Sequence, residues 1–201
     1  MSGPISLEDS LEELKKLPLS KYEALPKKAV FDKFKGKIKK LKRPYWIKIN
    51  SGEHKKKQGG VERAGNLKEL EEKHNKLKKK FKNTKFLIQE NIEGTEIIAG
   101  IKKDKTFGKV LLIGSGGNLA ETISDTEFRV LPVKKNEIRD AIKELKIYSV
   151  LKENNCHIKK LVKLIYKFAK LAQKSEWNQA DINPIIVNEK EAKVVDARIS
   201  I

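Results

Sequence analysis

The sequence predicts a mixed α+β fold in which most strands are antiparallel. Apolar residues recur at helical spacing in several capped segments, which indicates amphipathic helices. Between these segments lie short runs rich in Val, Ile and Leu that glycines divide, a pattern typical of strands joined by turns. The chain has 201 residues, enough for one large domain or for two small lobes.

The first fifty residues predict two helices followed by a strand. Ser6 and Asp9 have the spacing of a helix cap, and leucines then recur at helical spacing up to position 17. Residues 27–42 alternate lysines with apolar side chains, which predicts a second helix with a basic face, broken near Gly36 and ended before Pro44. Residues 45–50 predict a strand.

A glycine- and lysine-rich loop is predicted for residues 52–65, with His54 near its start. Asn66 and Glu69 are typical of the beginning of a helix, and His74 lies on the apolar face of this helix. The rest of the chain predicts strands at 86–89, 96–101 and 109–113, helices at 136–145 and 158–172, and a terminal hairpin with arms at 182–187 and 192–197.

The charge is unevenly distributed along the chain. The net charge is +18, and residues 1–85 hold 25 Lys and Arg against 11 Asp and Glu. A field of this sign attracts polyanions such as nucleic acid, acidic membranes, nucleotides or CoA, but it does not determine a fold.

The single cysteine and the hydropathy pattern indicate a soluble protein of the cytoplasm. Cys156 alone excludes an intramolecular disulfide and a metal site built from cysteines. The chain has no apolar run near the roughly 20 residues that a membrane span needs, and its N-terminus lacks the pattern of a secretion signal. We therefore expect no membrane association.

Several residues have the chemistry that phosphoryl transfer from ATP requires, namely cations and backbone N–H donors around a phosphate chain. Lys48 lies at the end of a predicted strand, from which its ammonium could reach phosphate oxygens. Gly59 and Gly60, and likewise Gly116 and Gly117, allow the backbone to approach an anion closely. Each glycine pair could equally be a simple turn.

Asn183 and Asp196 are candidate magnesium ligands. They lie on the two arms of the predicted terminal hairpin, so their side chains could converge. Mg²⁺ takes a few protein oxygens and keeps water or phosphate in the rest of its coordination shell. From spacing alone, the alternative is that Asp181, Asn183 and Asp196 are polar residues on a solvated face.

Among the three histidines, His54 has the setting of a reactive group. It lies in the glycine-rich loop beside three lysines, which would stabilise a phosphorylated imidazole electrostatically. His74 and His157 lie on or at predicted helices, where packing or surface roles are expected. Without further support, His54 could also be an exposed loop residue.

From about residue 45 to residue 201, the order of these motifs resembles the beta subunit of ADP-forming acetyl-CoA synthetase, in the succinyl-CoA synthetase superfamily. Lys48 to Ser51, followed by His54 and then Gly59-Gly60-Val61, is similar to that family's nucleotide lysine and phosphohistidine loop. The other similar segments are Gln89-Glu90 with Gly94 and Glu96, then Asp104, Phe107-Gly108, Gly114, Gly116-Gly117, Glu121, Asp125, Phe128-Arg129 and Pro132, and finally Asp181 to Pro184 with Val195 to Ile199.

This resemblance implies an ATP-grasp fold, with two α/β lobes of largely antiparallel sheets that clasp ATP. The lobes would be residues 1–85, with Lys48 and the His54 loop, and 86–201, with the magnesium hairpin. It implies catalysis through His54, metal binding by Asn183 and Asp196, and nucleotide binding by Lys48, Gly59, Gly60, Gln89, Glu90, Glu96, Gly116 and Gly117.

The implied reaction is that of an acid–thiol ligase: acyl-CoA, ADP and phosphate yield carboxylate, CoA and ATP. Its cofactor would be Mg²⁺, with ATP or ADP as substrate. The chain lacks the glycine-rich fingerprint of a CoA-binding half, so the resemblance implies a separate CoA-binding alpha subunit as its partner.

Two alternatives remain open at this point. The basic first lobe could bind nucleic acid, although it lacks the interleaved aromatic residues that stack on bases, and we expect no specific nucleic acid. The chain could also be a non-catalytic ATP-grasp subunit, because only two residues separate Ser51 from His54, fewer than in the family pattern.

Overall fold

The computed structural model describes residues 3–27, 31–52, 55, 58–117 and 125–201. Every pairing between its strands is antiparallel. The elements are α1 Leu7–Glu13, β1 Tyr22–Leu25, a 3-10 turn Phe31–Phe34, α2 Lys35–Ile38, β2 Tyr45–Ile49, β3 Val61–Ala64, α3 Leu67–Lys80, β4 Phe86–Glu90, β5 Thr95–Asp104, β6 Gly108–Ser115, β7 Thr126–Val130, α4 Lys135–Glu144, α5 Tyr148–Glu153, α6 Ile158–Lys174, β8 Gln179–Val187, β9 Ala192–Val194 and β10 Ala197–Ser200. The predicted α+β class is confirmed.

The chain forms two compact units. The smaller unit comprises Ser6–Asp9 and Ser20–Ile92, and the larger unit comprises Met1–Ile5, Ser10–Leu19 and Glu93–Ile201. The sequence placed the boundary after residue 85, but β4 hydrogen-bonds to β1 and β2 and so belongs to the smaller unit.

Most of the segment around α1 also belongs to the larger unit, although the sequence-based division placed it in the first lobe. The Ile5 N–H donates to the Ile199 carbonyl at 2.9 Å, and the Val194 N–H donates to the Pro18 carbonyl at 2.9 Å. These bonds tie residues on both sides of α1 to the end of the chain, in the larger unit.

The smaller unit is a four-stranded sheet in the order β1-β4-β2-β3, with α3 contacting β2 and β3. Alternate residues of β2, namely Tyr45, Ile47 and Ile49, enter the core. His74 is buried in this core between the rings of Phe31 and Phe86, at centroid distances of 5.5 and 5.2 Å. The His74 ring packs against these two aromatic rings, and its burial lowers its pKa.

The larger unit is a six-stranded sheet in the order β10-β8-β5-β6-β7, with β9 beside β8. Its inner face, with side chains such as Ala99 and Leu111, is buried and contacts α4 and α6. Phe168 is a buried side chain of α6. Its outer face carries the alternate residues, which are more polar and more exposed. No helix in the described part of the chain is long and apolar enough to cross a membrane.

Several local predictions were wrong. In place of the helix expected at 27–42, the described residues of this segment form the 3-10 turn and α2. The predicted loop 52–65 contains β3, and the final arm is interrupted at Val195 and Asp196, between β9 and β10.

Candidate functional site

Lys48 and Gln89 share one face of the smaller unit's sheet. Lys48 lies opposite Leu87 and Trp46 lies opposite Gln89, while the intervening Ile47 enters the core on the other face. Lys48 is only 5% exposed. A lysine ammonium is a compact positive charge of the kind that binds phosphate oxygens.

The end of β4 holds the segment before β1 through two side chains. The buried Gln89 amide nitrogen donates to the Ser20 hydroxyl. The Glu90 carboxylate accepts the Lys21 N–H at 3.0 Å, and the Glu90 N–H donates to the Lys21 carbonyl at 3.0 Å. The structure therefore places Gln89 and Glu90 next to each other at the end of β4, with their side chains on opposite faces of the strand.

Gly59 and Gly60 close the loop that follows β2. Gly59 has a φ of +67°, which favours glycine. The Gly60 carbonyl accepts the Ile49 N–H at 2.9 Å, and the Lys80 ammonium donates to the Gln58 carbonyl at 2.9 Å. The loop is thus fastened to both β2 and α3. His54 lies outside the described residues.

In the larger unit, Gly116 and Gly117 lie directly on Glu96. The Gly116 N–H donates to the Glu96 carbonyl at 2.9 Å. A Cβ atom on Gly117 would lie 2.7 Å from a Glu96 carboxylate oxygen, and Gly117 has a φ of +70°. The glycine pair is therefore required by close packing, and it brings three of the predicted nucleotide-binding residues together.

Asp125 holds this glycine loop in place, although the sequence-based list of site residues omitted it. Its buried carboxylate accepts the Ser115 hydroxyl at 2.5 Å and the N–H groups of Lys146 and Ile147 at 2.7 and 3.0 Å. Burial by itself would raise the pKa of Asp125, but these hydrogen bonds outweigh it and hold the pKa below its ordinary value.

Asp125→Ala is expected to destabilise the chain by about 3 kcal/mol at pH 7, because two buried donors and one partly buried donor lose their acceptor. The folded pKa lies below the unfolded value of 3.8, so this stabilisation is present above that pH and is lost as the pH falls through the folded pKa. Urea unfolding of both proteins from pH 7 to pH 3 checks this. The surface variant Asp140→Ala should unfold like the wild type. A pH-independent difference between Asp125→Ala and the wild type would contradict the assignment.

Asn183 and Asp196 face each other across the terminal hairpin. The Asn183 N–H donates to the Asp196 carbonyl at 3.1 Å, and the Asp196 carboxylate accepts the Ala197 N–H at 2.8 Å. The Asn183 side chain is exposed and Asp196 is half-buried. An amide and a carboxylate are oxygen donors that suit Mg²⁺, which needs few protein ligands. In the described residues, no cluster of three or more His, Cys, Asp or Glu could hold a metal.

Asp181 and Arg198 extend this polar region on the outer face. They are cross-strand neighbours, and Gly100 lies opposite Asp181 on the other side. A Cβ atom on Gly100 would lie 3.0 Å from the Asp181 carboxylate. In β8, Ile182 is buried and its neighbour Asp181 is not, and in β10 Arg198 lies between the buried Ala197 and Ile199. This alternation was the signal that could have added Asp181 and Arg198 to the site.

The predicted site residues thus fall into two sets, one in each unit. Lys48, Gln89 and Glu90 lie in the smaller unit with the glycine pair of the β2 loop. The larger unit holds Asn183 and Asp196, and also Glu96 with the second glycine pair. Cations, backbone donors and metal ligands are the groups that bind a nucleoside triphosphate.

The sequence of residues 32–201 matches the ATP-grasp domain family. The chain belongs to the ATP-grasp family. The predicted fold is therefore confirmed, and solved structures agree. PH1788 from Pyrococcus horikoshii is 26% identical and superposes with a TM-score of 0.86, covering 98% of this chain and 91% of PH1788. Acetyl-coenzyme A synthetase 1 from Ca. Korarchaeum cryptofilum is 23% identical, with a TM-score of 0.82 and coverages of 98% and 92%.

Among curated proteins, this ATP-grasp chain is similar to subunits and longer chains of ADP-forming CoA ligases. It is 37% identical over 111 residues to the beta subunit of acetate–CoA ligase (ADP-forming) I from Pyrococcus furiosus, covering 53% of this chain and 48% of that relative. It is 31% identical over 206 residues to 4-hydroxybutyrate–CoA ligase (ADP-forming) from Nitrosopumilus maritimus, covering 94% of this chain and 28% of the relative. The match thus spans about half of the first relative.

Proposed function

We propose that this chain is the nucleotide-binding subunit of an ADP-forming acetate–CoA or acyl-CoA ligase that works with a CoA-binding alpha subunit. The observation that carries the proposal is the hydrogen bond of 3.1 Å that sets Asn183 beside Asp196 in a chain of the ATP-grasp family. The relatives support the same reaction class, and they support neither nucleic-acid binding nor a non-catalytic role.

The ligands we assign are Mg²⁺ with ATP or ADP. The acetyl-coenzyme A synthetase 1 of Ca. Korarchaeum cryptofilum is known in complex with coenzyme A and Mg-AMPPCP, with its phosphohistidine segment pointing towards the nucleotide-binding site. In this chain, Asn183 and Asp196 are the metal ligands. Bound Mg²⁺ offsets the charge of the phosphate oxygens.

The remaining site residues bind and orient the nucleotide. The Lys48 ammonium attracts phosphate oxygens, and the two glycine pairs allow the backbone to approach the phosphates closely. Gln89, Glu90 and Glu96 supply polar atoms for the nucleoside. A nitrogen of the neutral His54 imidazole attacks the γ-phosphorus of ATP, so that an N–P bond forms, the bond to the bridging oxygen breaks, and ADP leaves.

The proposal assigns nucleotide binding to this chain and the CoA and acyl sites to the alpha subunit, and this assignment can be tested by mixing the two. The purified chain should bind Mg·ATP but should not form acetyl-CoA from acetate, CoA and ATP. Adding the separately purified alpha subunit should start turnover, because the alpha subunit supplies the CoA and acyl sites. Coupled detection of ADP follows the reaction, with the alpha subunit alone as the control. Acetyl-CoA formation by the isolated chain would contradict the proposal.

A further inference from the structure

An exposed apolar patch lies on the outer face of the larger unit's sheet, at the β7 edge. We define the patch as Val110, Leu112, Phe128 and Val130, and the exposed Phe107 lies in the adjoining turn between β5 and β6. Phe107, Phe128 and Val130 are 64, 57 and 50% exposed. Phe128 lies opposite the half-buried Leu112, and Val130 lies opposite the half-buried Val110. Contiguous exposed apolar side chains mark interaction sites on soluble proteins.

The patch is held rigidly by its own unit. The Asp104 carboxylate accepts the N–H groups of Thr106 and Phe107 at 2.8 and 2.9 Å, which fixes the turn between β5 and β6. The Lys109 ammonium donates to the carbonyls of Ala172 and Ser175, each at 2.6 Å, which fastens the same hairpin to the end of α6. A preformed surface loses little conformational entropy on binding.

The charges around the patch indicate the kind of partner. Lys102, Lys103 and Lys105 are exposed in the hairpin of β5 and β6 and outnumber the exposed Asp104 there, and the whole chain carries a net charge of +18. A second copy of this chain would place lysines against lysines, which is unfavourable at an interface. The surface therefore suits a different chain, with apolar side chains inside an acidic rim.

The position of the patch relates it to the candidate metal ligands. Asp181 and Arg198 lie on the same outer face of the sheet, next to Asn183 along β8. Three strand-to-strand steps, from β8 through β5 and β6 to β7, separate that region from Phe128. Adjacent strands are about 4.8 Å apart, so this separation is roughly 14 Å. A protein bound at the patch would lie beside the hairpin of Asn183 and Asp196.

We propose that this patch is the docking surface for the CoA-binding alpha subunit, which meets it with apolar side chains surrounded by carboxylates. The proposal rests on the proposed function and adds the location and chemistry of the subunit interface. A phosphoryl group must pass between the nucleotide site and the CoA site, and docking on this face brings the partner close to the metal ligands.

The double variant Phe128→Thr with Val130→Thr tests the proposal, since threonine keeps the β-branched shape that suits a strand. Calorimetric titration with the source organism's purified alpha subunit should show association weakened about tenfold or more, because buried apolar anchors dominate interface affinity. Lys102→Glu with Lys105→Glu should slow association and reduce its dependence on salt. Ile201→Thr removes an exposed apolar side chain outside the patch and should bind like the wild type.

Mg·ATP affinity and thermal unfolding are measured on the same proteins. The interface is supported if the double variant associates more weakly with the alpha subunit while its Mg·ATP affinity and melting temperature match those of the wild type. Association unchanged in the double variant, or absent in the wild type, overturns it. Self-association of the wild type that the double variant loses also overturns it, because the occupant would then be a second copy. If Mg·ATP does not bind to any of the proteins while association weakens as expected, the proposed function fails and the interface stands.

Discussion

Asp196→Ala is expected to lower the affinity of the chain for Mg·ATP by about 100-fold, because it would remove a charged residue that would hold the Mg²⁺ of the nucleotide. Asp196 lies in the interruption between β9 and β10, next to Asn183, and its replacement should leave the buried sheet intact. Calorimetric titration with ATP, in the presence and absence of Mg²⁺, measures the effect.

The matched control is Asp140→Ala, which removes the same charge from an exposed position on α4 of the same unit. This control should bind Mg·ATP like the wild type. Without Mg²⁺, we expect Asp196→Ala and the wild type to bind ATP with similar weak affinity. If Asp196→Ala keeps wild-type affinity for Mg·ATP, Asn183 and Asp196 are polar residues of a solvated hairpin and not metal ligands.

His54→Ala is expected to reduce turnover with the alpha subunit by about 1,000-fold or more, because the phosphoryl group loses its acceptor on this chain. Its affinity for Mg·ATP should stay close to that of the wild type, since the imidazole is a nucleophile and not a nucleotide ligand. Steady-state turnover and calorimetric binding on the same preparation separate the two effects.

The two other histidines differ in how well they serve as controls. His74 is buried against Phe31 and Phe86, so replacing it would change stability as well as chemistry. His157 is half-buried before α6, and its backbone N–H, not its side chain, donates to the Asn188 carbonyl at 2.8 Å. His157→Ala should therefore retain turnover. Full turnover by His54→Ala would indicate direct transfer from ATP to the partner.

The elements that the sequence predicted well are those specified by local interactions. The helix after Asn66 begins as expected because the Asn66 side chain accepts the Glu69 N–H at 3.0 Å. The strands β1 and β3 were missed because their hydrogen bonds go to residues far away in the sequence or across a long loop. Their short, partly polar sequences lack the alternation of a longer strand.

In the candidate site, too, the sequence predicted only the arrangements of residues that lie close together along the chain. Asn183 and Asp196 could be paired from the sequence because they lie on neighbouring arms of one hairpin. The role of Asp125 could not be predicted, since its carboxylate is held by N–H groups of Lys146 and Ile147, about twenty residues later. The exposure of Phe128 depends on which sheet face the helices cover, and this is a property of the assembled unit.

Labelling with ATP that carries a radioactive γ-phosphate tests the central claim most directly. After incubation with Mg²⁺ and the alpha subunit, the wild-type chain should carry label that is labile in acid and stable in alkali, as expected for phosphohistidine, and His157→Ala should carry the same label. His54→Ala should carry none. Equal labelling of the wild type and His54→Ala would contradict the claim that this chain passes phosphate through His54.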